Sequence, residues 1–187
     1  SYGVENFNYF NYIEKLNSFS SSFTQYTYNE KGSLIKESNG ALLYKKKSKY
    51  ILEYLSPNKI KFISDGALVT TLDIDLDQAI IQSTNNKAKN NFFEIMTNKD
   101  EINKKFILKS YLYNNDNYVK FVPKNKELEN NIFLLIIKDS KIKKITFMND
   151  FDQSVTMVFS DFKVNLGVLD SSFKIDIPEN FDVIIDK

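Results

Sequence analysis

Between Gly40 and Gly66 apolar residues fall on every second position. Leu42 and Tyr44 form one such run, Tyr50, Leu52 and Tyr54 a second, and Ile60 and Phe62 a third. Period-two alternation places one set of side chains on a single face of a pleated sheet, so the stretch predicts three successive strands. Ser56-Pro57-Asn58 and Ser64-Asp65-Gly66 supply turn chemistry between and after them. A face this rich in Tyr, Leu and Phe must be covered, either by a core or by a ligand.

The pattern changes on both sides of this centre. Over residues 5–17, Tyr9, Ile13 and Leu16 recur at helical spacing with Phe10 beside them, while Glu5, Glu14 and Lys15 lie off that face. A short amphipathic helix is expected there, ending near Asn17-Ser18. From Phe19 the period returns to two. Phe19, Phe23 and the following Thr-Gln-Tyr-Thr-Tyr suit a long strand that turns at Asn29-Glu30-Lys31-Gly32, and residues 33–46 run back. A fifth strand is expected at 67–72 and a sixth from Asp73 to about Gln82.

Residues 90–105 interrupt the series. Phe92, Phe93, Ile95 and Met96 predict one or two helical turns, with Asn90 or Asn91 as N-cap, and Ile102 and Phe106 continue the apolar pattern after a break near Asn98. Strands resume at 106–113, 117–122, 131–138, 141–149 and 153–160, separated by Asn- and Asp-rich turns. The tail carries Pro178 and a last extended run, Asp182 to Asp186. The expected fold is mainly β: one domain over residues 1–187, with about eleven consecutive antiparallel strands curled into an unclosed barrel and short α-helices covering its mouth. A closed and filled barrel would leave the two apolar helices without a place.

Composition narrows the function. The chain has neither Cys nor His, which excludes thiol chemistry, the usual zinc sites and histidine acid–base catalysis. A net charge of +1 gives no global field to attract nucleic acid. Asp73, Asp75 and Asp77 invite a calcium-loop reading, but an EF-hand would need Gly and Glu where the chain has Gln78 and Thr84. Alternation instead puts the three on the solvated side of the sixth strand. No phosphate-binding Gly-rich loop or nucleophile elbow appears. The reading is therefore of a non-enzymatic protein without metal or cofactor, whose aromatic inner wall is left partly unfilled to take a lipid.

The run Ser18-Phe19-Ser20-Ser21-Ser22-Phe23-Thr24-Gln25 resembles the opening of the outer-membrane lipoprotein carrier family, the LolA-type periplasmic chaperones. The likeness continues without a gap through Gly40, Leu42 to Lys46, Tyr50, Pro57 and the Ser64-Asp65-Gly66 turn. It extends to Asp77-Gln78-Ala79 and the Phe92–Met96 helix, and weakens after residue 110. The resemblance implies an unclosed barrel with a helical lid over an apolar cavity. It also implies a periplasmic monomer, with its leader removed, that takes acylated lipoproteins from an inner-membrane ABC transporter to the outer membrane and, where one exists, to a receptor there. On that basis Phe19, Phe23, Leu42, Tyr44, Tyr50, Leu52, Tyr54 and Phe62 are expected to form the cavity wall. Tyr9, Ile13, Leu16, Phe92, Phe93 and Met96 are expected to form the inner face of the lid. An outer-membrane receptor or lipid sensor of the same half-barrel shape, and an interaction domain with a filled barrel, remain as alternatives.

The family pattern has an Arg at the position of Lys46 that ties the strand to the lid through backbone carbonyls. It has Pro where the chain has Lys47 and Trp where it has Leu52. Lysine keeps the charge but loses the planar, multi-donor fork. The latch is therefore expected to be weaker or differently built. Amides of residues 6–16 and 91–97 should exchange faster than those of the central strands; equal protection would contradict this.

Overall fold

The computed structural model describes residues 7–84 and 92–186. Its backbone is dominated by one twelve-stranded sheet. The strands are β1 (Ser18–Tyr28), β2 (Leu34–Lys45), β3 (Lys49–Ser56), β4 (Ile60–Asp65), β5 (Leu68–Asp73) and β6 (Gln78–Ser83), followed by β7 (Phe106–Tyr113), β8 (Asp116–Pro123), β9 (Phe133–Lys138), β10 (Lys141–Met148), β11 (Ser154–Val164) and β12 (Asp182–Asp186). Two α-helices, α1 (Tyr9–Lys15) and α2 (Lys99–Lys105), and a 3-10 turn, Phe92–Met96, complete the part that bears on function.

The spatial order is β12-β6-β5-β4-β3-β2-β1-β11-β10-β9-β8-β7. The chain thus lays two meanders side by side, joined where β1 pairs antiparallel with β11. The long strands β1, β2 and β11 form the middle, and β12 and β7 are the unpaired edges. Right-handed twist curls a sheet of this width. Register shifts between Ser20 and Ser22, between Asn39 and Gly40, and between Ile142 and Lys144 bend it further. The unclosed half-barrel expected from the pattern is present, with three differences.

The last strand pairs parallel with β6, Ile184 beside Ile80, so the sheet is neither wholly antiparallel nor limited to eleven strands. Residues 74–77 form a turn, so the sixth strand starts at Gln78 rather than Asp73. The Asp73 carboxylate accepts the Leu76 N–H at 3.1 Å, and Asp77 has φ 50°. Asp75 accepts the Lys59 N–H at 3.1 Å. Asp side chains that bond nearby backbone favour turns over strand ladders, which is why alternation misled there. The first helix is shorter than expected. Asn8 caps it by accepting the Asn11 N–H, and it stops at Leu16, whose backbone is extended. Residues 5 and 6, Asn90 and Asn91 lie outside the described residues.

Neighbouring residues on a strand point to opposite faces, so the sheet carries two cores. The concave face holds the large one, which includes Phe19, Phe23, Leu42, Tyr44 and Tyr50 with Phe121, Phe133, Ile145 and Met157. The convex face of β3–β6 holds a small one of Ile63, Leu72 and Ala79, packed against Ile175, Ile177 and Phe181 of the returning tail. Asp170 anchors that tail to Lys45 and Lys49 at 2.7 and 3.2 Å. Gly40 in β2 sits at the register shift between β2 and β3. A Cβ there would lie 2.0 Å from the Glu53 carbonyl oxygen and 2.8 Å from the Phe23 ring. Gly40→Ala is expected to cost about 1–3 kcal/mol, as overpacked core positions do, read as a lower urea midpoint. An unchanged midpoint would mean that the bend does not require glycine.

Candidate functional site

The concave face is covered by α1, the Phe92–Met96 turn and α2. In α1, Tyr9 and Ile13 are buried, and so is Leu16 just after it. The Phe92–Met96 turn buries Phe92, Phe93, Ile95 and Met96. Asn98 then caps α2 by accepting the Glu101 N–H at 2.9 Å. Asp100 and Glu101 occupy its first turn and Lys104 and Lys105 its last, which suits the helix dipole.

The lid rests on the wall through aromatic rings. Phe93 stacks on Tyr50 with centroids 3.7 Å apart and planes 9° from parallel, and Phe92 lies 4.2 Å from Phe93. Tyr9 meets Phe121 edge-on at 4.9 Å. Deeper in the wall Phe19 stacks between Tyr44 at 5.1 Å and Phe162 at 4.7 Å. Each offset or edge-on pair contributes roughly 0.5–1.5 kcal/mol beyond its area burial.

Polar contacts fasten the parts of the lid to each other and to the sheet. The Tyr9 hydroxyl donates to the Ile95 carbonyl at 2.5 Å, and Tyr44 donates to the Met96 carbonyl at 2.9 Å. Lys46 Nζ donates to the Glu14 carbonyl in the last turn of α1. Lys46 thus reaches the lid backbone where a latch was expected. The two tyrosine hydroxyls were not anticipated as fasteners, because in the sequence they read only as apolar positions. Their rings do follow that reading; their hydroxyls serve the short turn, whose carbonyls have few partners of their own.

The residues expected to form the wall divide into two groups. Phe19, Phe23, Leu42, Tyr44 and Tyr50 are buried by the protein's own side chains. The wall beneath the lid is therefore not left bare, because the lid's rings occupy it. Leu52, Tyr54 and Phe62 are only half-buried against this core. Leu52 and Tyr54 lie further along β3 than Tyr50, and Phe62 lies on β4, one strand nearer the β12 edge. Strand register continues the line from Leu42 through Leu52 and Phe62 to Thr71, Ile80 and Ile184, the last of which is exposed. A mainly apolar row, interrupted by Thr71, thus runs from under the lid to the open edge. Tyr54 also donates to Gln25 at 2.6 Å. A cleft of about 680 Å³ opens where α1, α2 and the β2–β3 turn meet. Phe10, Ile13, Tyr44 and Met96 contribute its apolar lining, and most of the rest is polar or charged, including Glu14, Lys46, Lys47, Lys99 and Asp100. A small pocket of about 130 Å³ lies by Tyr54, Ile60 and Phe62.

The site is lined mainly by aromatic and aliphatic side chains. Among the described residues no group of acidic side chains could hold a metal ion. Burial pushes the Tyr44 hydroxyl up to about 12 and holds that of Tyr9 well above the usual phenol range. Both remain proton donors at neutral pH.

A family model described as outer membrane lipoprotein carrier protein LolA matches residues 14–176. An outer-membrane lipoprotein carrier protein of Francisella philomiragia is 28% identical over 177 residues, covering 93% of this chain and 85% of the relative. One from Pseudomonas putida is 25% identical over 173 residues, covering 92% and 84%. Among solved structures, an uncharacterized conserved protein of Thermus thermophilus superposes with a TM-score of 0.58 at 10% identity, covering 95% of this chain and 97% of that one. MucB superposes with a TM-score of 0.52 at 13% identity, covering 90% and 62%. These two likenesses bear on the fold alone.

Replacing Tyr44 with Phe should loosen the latch in a pH-dependent way. At neutral pH the Met96 carbonyl loses its donor, at a cost of about 1 kcal/mol. Below pH 10 the phenol is neutral in both the folded and the unfolded chain. Between pH 10 and about 12 the unfolded chain releases the proton while the folded one keeps it, so stability falls through that window. The Phe variant lacks this contribution, and its urea-unfolding profile should be flatter there by about 2–3 kcal/mol. Parallel profiles for the two proteins would contradict the buried hydroxyl.

Proposed function

Because the chain belongs to the LolA family of outer membrane lipoprotein carriers, we propose that it is a periplasmic chaperone. It binds the acyl chains of lipoproteins on the concave face of its sheet and carries them from the inner to the outer membrane. It works as a monomeric single domain. It receives cargo from an inner-membrane ABC transporter, which supplies the energy, and yields it at the outer membrane, to a receptor where one exists. The chain itself performs no chemistry on the cargo.

The observation that carries this reading is the apolar row that starts beneath a lightly fastened lid. A sixteen-carbon acyl chain costs roughly 12 kcal/mol to leave in water, at about 0.8 kcal/mol per CH₂. Crossing an aqueous compartment therefore needs an apolar host. Phe92, Phe93, Ile95 and Met96 fill that host when it is empty. Burying four such side chains contributes about 1.5–3 kcal/mol each. The two occupants are thus of similar worth. That near-balance lets cargo displace the lid and lets the lid displace cargo, as a carrier that must release requires. The half-buried Leu52, Tyr54 and Phe62 supply the first free surface for an incoming chain.

Titration of delipidated protein with a fluorescent fatty-acyl probe tests this. Native protein should show saturable binding. Leu52→Glu and Phe62→Glu should weaken it about ten-fold or more, since each sets a charge against the chain. Their unfolding midpoints should stay near native, because both positions are half-open. Tyr50→Glu should also fail to bind, but at a cost in stability, since its ring is packed against Phe93. Absence of saturable binding by native protein would return the fold to a filled interaction domain.

A further inference from the structure

The edge opposite β12 carries a surface that the concave face does not explain. Along β7, Ile107, Lys109, Tyr111 and Tyr113 share the convex side, alternating with the concave residues Phe106 and Leu108. Tyr111 is 51% exposed and Tyr113 60%, and Leu112 beside them is 51% exposed. Register sets Lys109 directly opposite Lys120 and Tyr111 opposite Tyr118. Tyr111 stacks on Tyr118 at 5.0 Å, and Tyr113 meets Tyr118 edge-on at 6.1 Å. The hairpin turns through Asn114 and Asn115, both with positive φ, 48° and 65°, as a tight two-residue connection requires. Asp116, the carboxylate facing this cluster, is engaged by Lys143 at 3.1 Å.

Like charges directly opposite each other on a sheet repel, and tyrosine rings held in water forgo burial. Lysines on an edge strand guard it against unwanted pairing. That accounts for Lys109 but not for an aromatic cluster on the same face. The charge distribution points further. Residues 106–148, which contain β7–β10, hold eight lysines and four carboxylates, whereas residues 149–187 hold three lysines and eight carboxylates. Residues 106–148 thus carry a local excess of four positive charges in a chain of net charge +1. Tyrosine, with an apolar ring and a wetted hydroxyl, suits the headgroup layer of a bilayer. Lysines above it draw anionic lipid.

We propose that the β7–β8 hairpin docks reversibly on anionic phospholipid bilayers. Tyr111 and Tyr113 enter the headgroup layer, and Lys109 and Lys120 face lipid phosphates. The Tyr12 hydroxyl donates to the Ser140 carbonyl at 3.0 Å, on the turn after β9, the strand that neighbours β8. The lid helix α1 therefore stands at the same end of the sheet as the hairpin tip. Docking brings the lid to the membrane surface. The inference does not depend on what the concave face binds.

Co-sedimentation of the full chain with vesicles of phosphatidylcholine alone, and of phosphatidylcholine mixed with phosphatidylglycerol, tests it. The protein should pellet with the mixed vesicles, stay in solution with the neutral ones, and be released by added salt. Lys109→Gln with Lys120→Gln should lower partitioning about thirty-fold, and Tyr111→Ser with Tyr113→Ser about ten-fold. Both variants should still unfold cooperatively, and acyl-probe binding should not change in either, which keeps this test separate from that of the carrier reading. Failure to pellet with mixed vesicles, equal pelleting with neutral ones, or variants that partition like native protein would each overturn the proposal.

Discussion

The rings of Phe93 and Tyr50 lie 3.7 Å apart and nearly parallel, and this stack joins the two parts of the molecule. Tyr50 belongs to a strand of the half-barrel, Phe93 to a five-residue turn with almost no structure of its own. A 3-10 turn this short has no independent stability. It holds its shape because its side chains are buried in the sheet's concavity and because Tyr9 and Tyr44 satisfy two of its carbonyls. On the proposed carrier reading it is also the removable part. An acyl chain that covers Tyr50 and Tyr44 would take the place of the lid and leave the strand ladder beneath intact.

The sheet supplies a concavity that such a lid can close. Twelve strands with bends at the long central ones curve without meeting, and the tail fastens the outer side of β3–β6 through Phe173, Ile175, Ile177 and Phe181. A tail-covered convex core and a lid-covered concave core follow from one alternating pattern. Residues such as Ile63 and Leu72 are fixed by the tail, while their neighbours Phe62 and Thr71 face the open interior.

Much of this was legible in the sequence. Leu42, Tyr44, Tyr50, Leu52, Tyr54 and Phe62 alternate cleanly, and the structure sets them on one face in direct register. The helical spacing of Tyr9 and Ile13, and the apolar Phe92–Met96 cluster, marked the cover. What could not be read depends on long-range partners. The parallel pairing of β12 with β6 joins residues about a hundred positions apart, and nothing local distinguishes it from an extended tail. Period two also cannot tell strand from turn when Asp side chains bond their own backbone, as at Asp73. Nor could the sequence divide the wall into Tyr50, covered by Phe93, and Phe62, left half-open, because that division depends on how far the lid reaches.

On the carrier reading, acyl chains and the lid compete for one apolar surface. Hydrogen exchange of the Phe92–Met96 turn and α1, with and without bound acyl ligand, tests it most directly. Ligand binding commonly slows exchange. Here loading should speed exchange in both segments while slowing it in β3 and β4. Lid amides that become more protected on loading, together with the strands, would contradict the account and show that cargo sits elsewhere than under the lid.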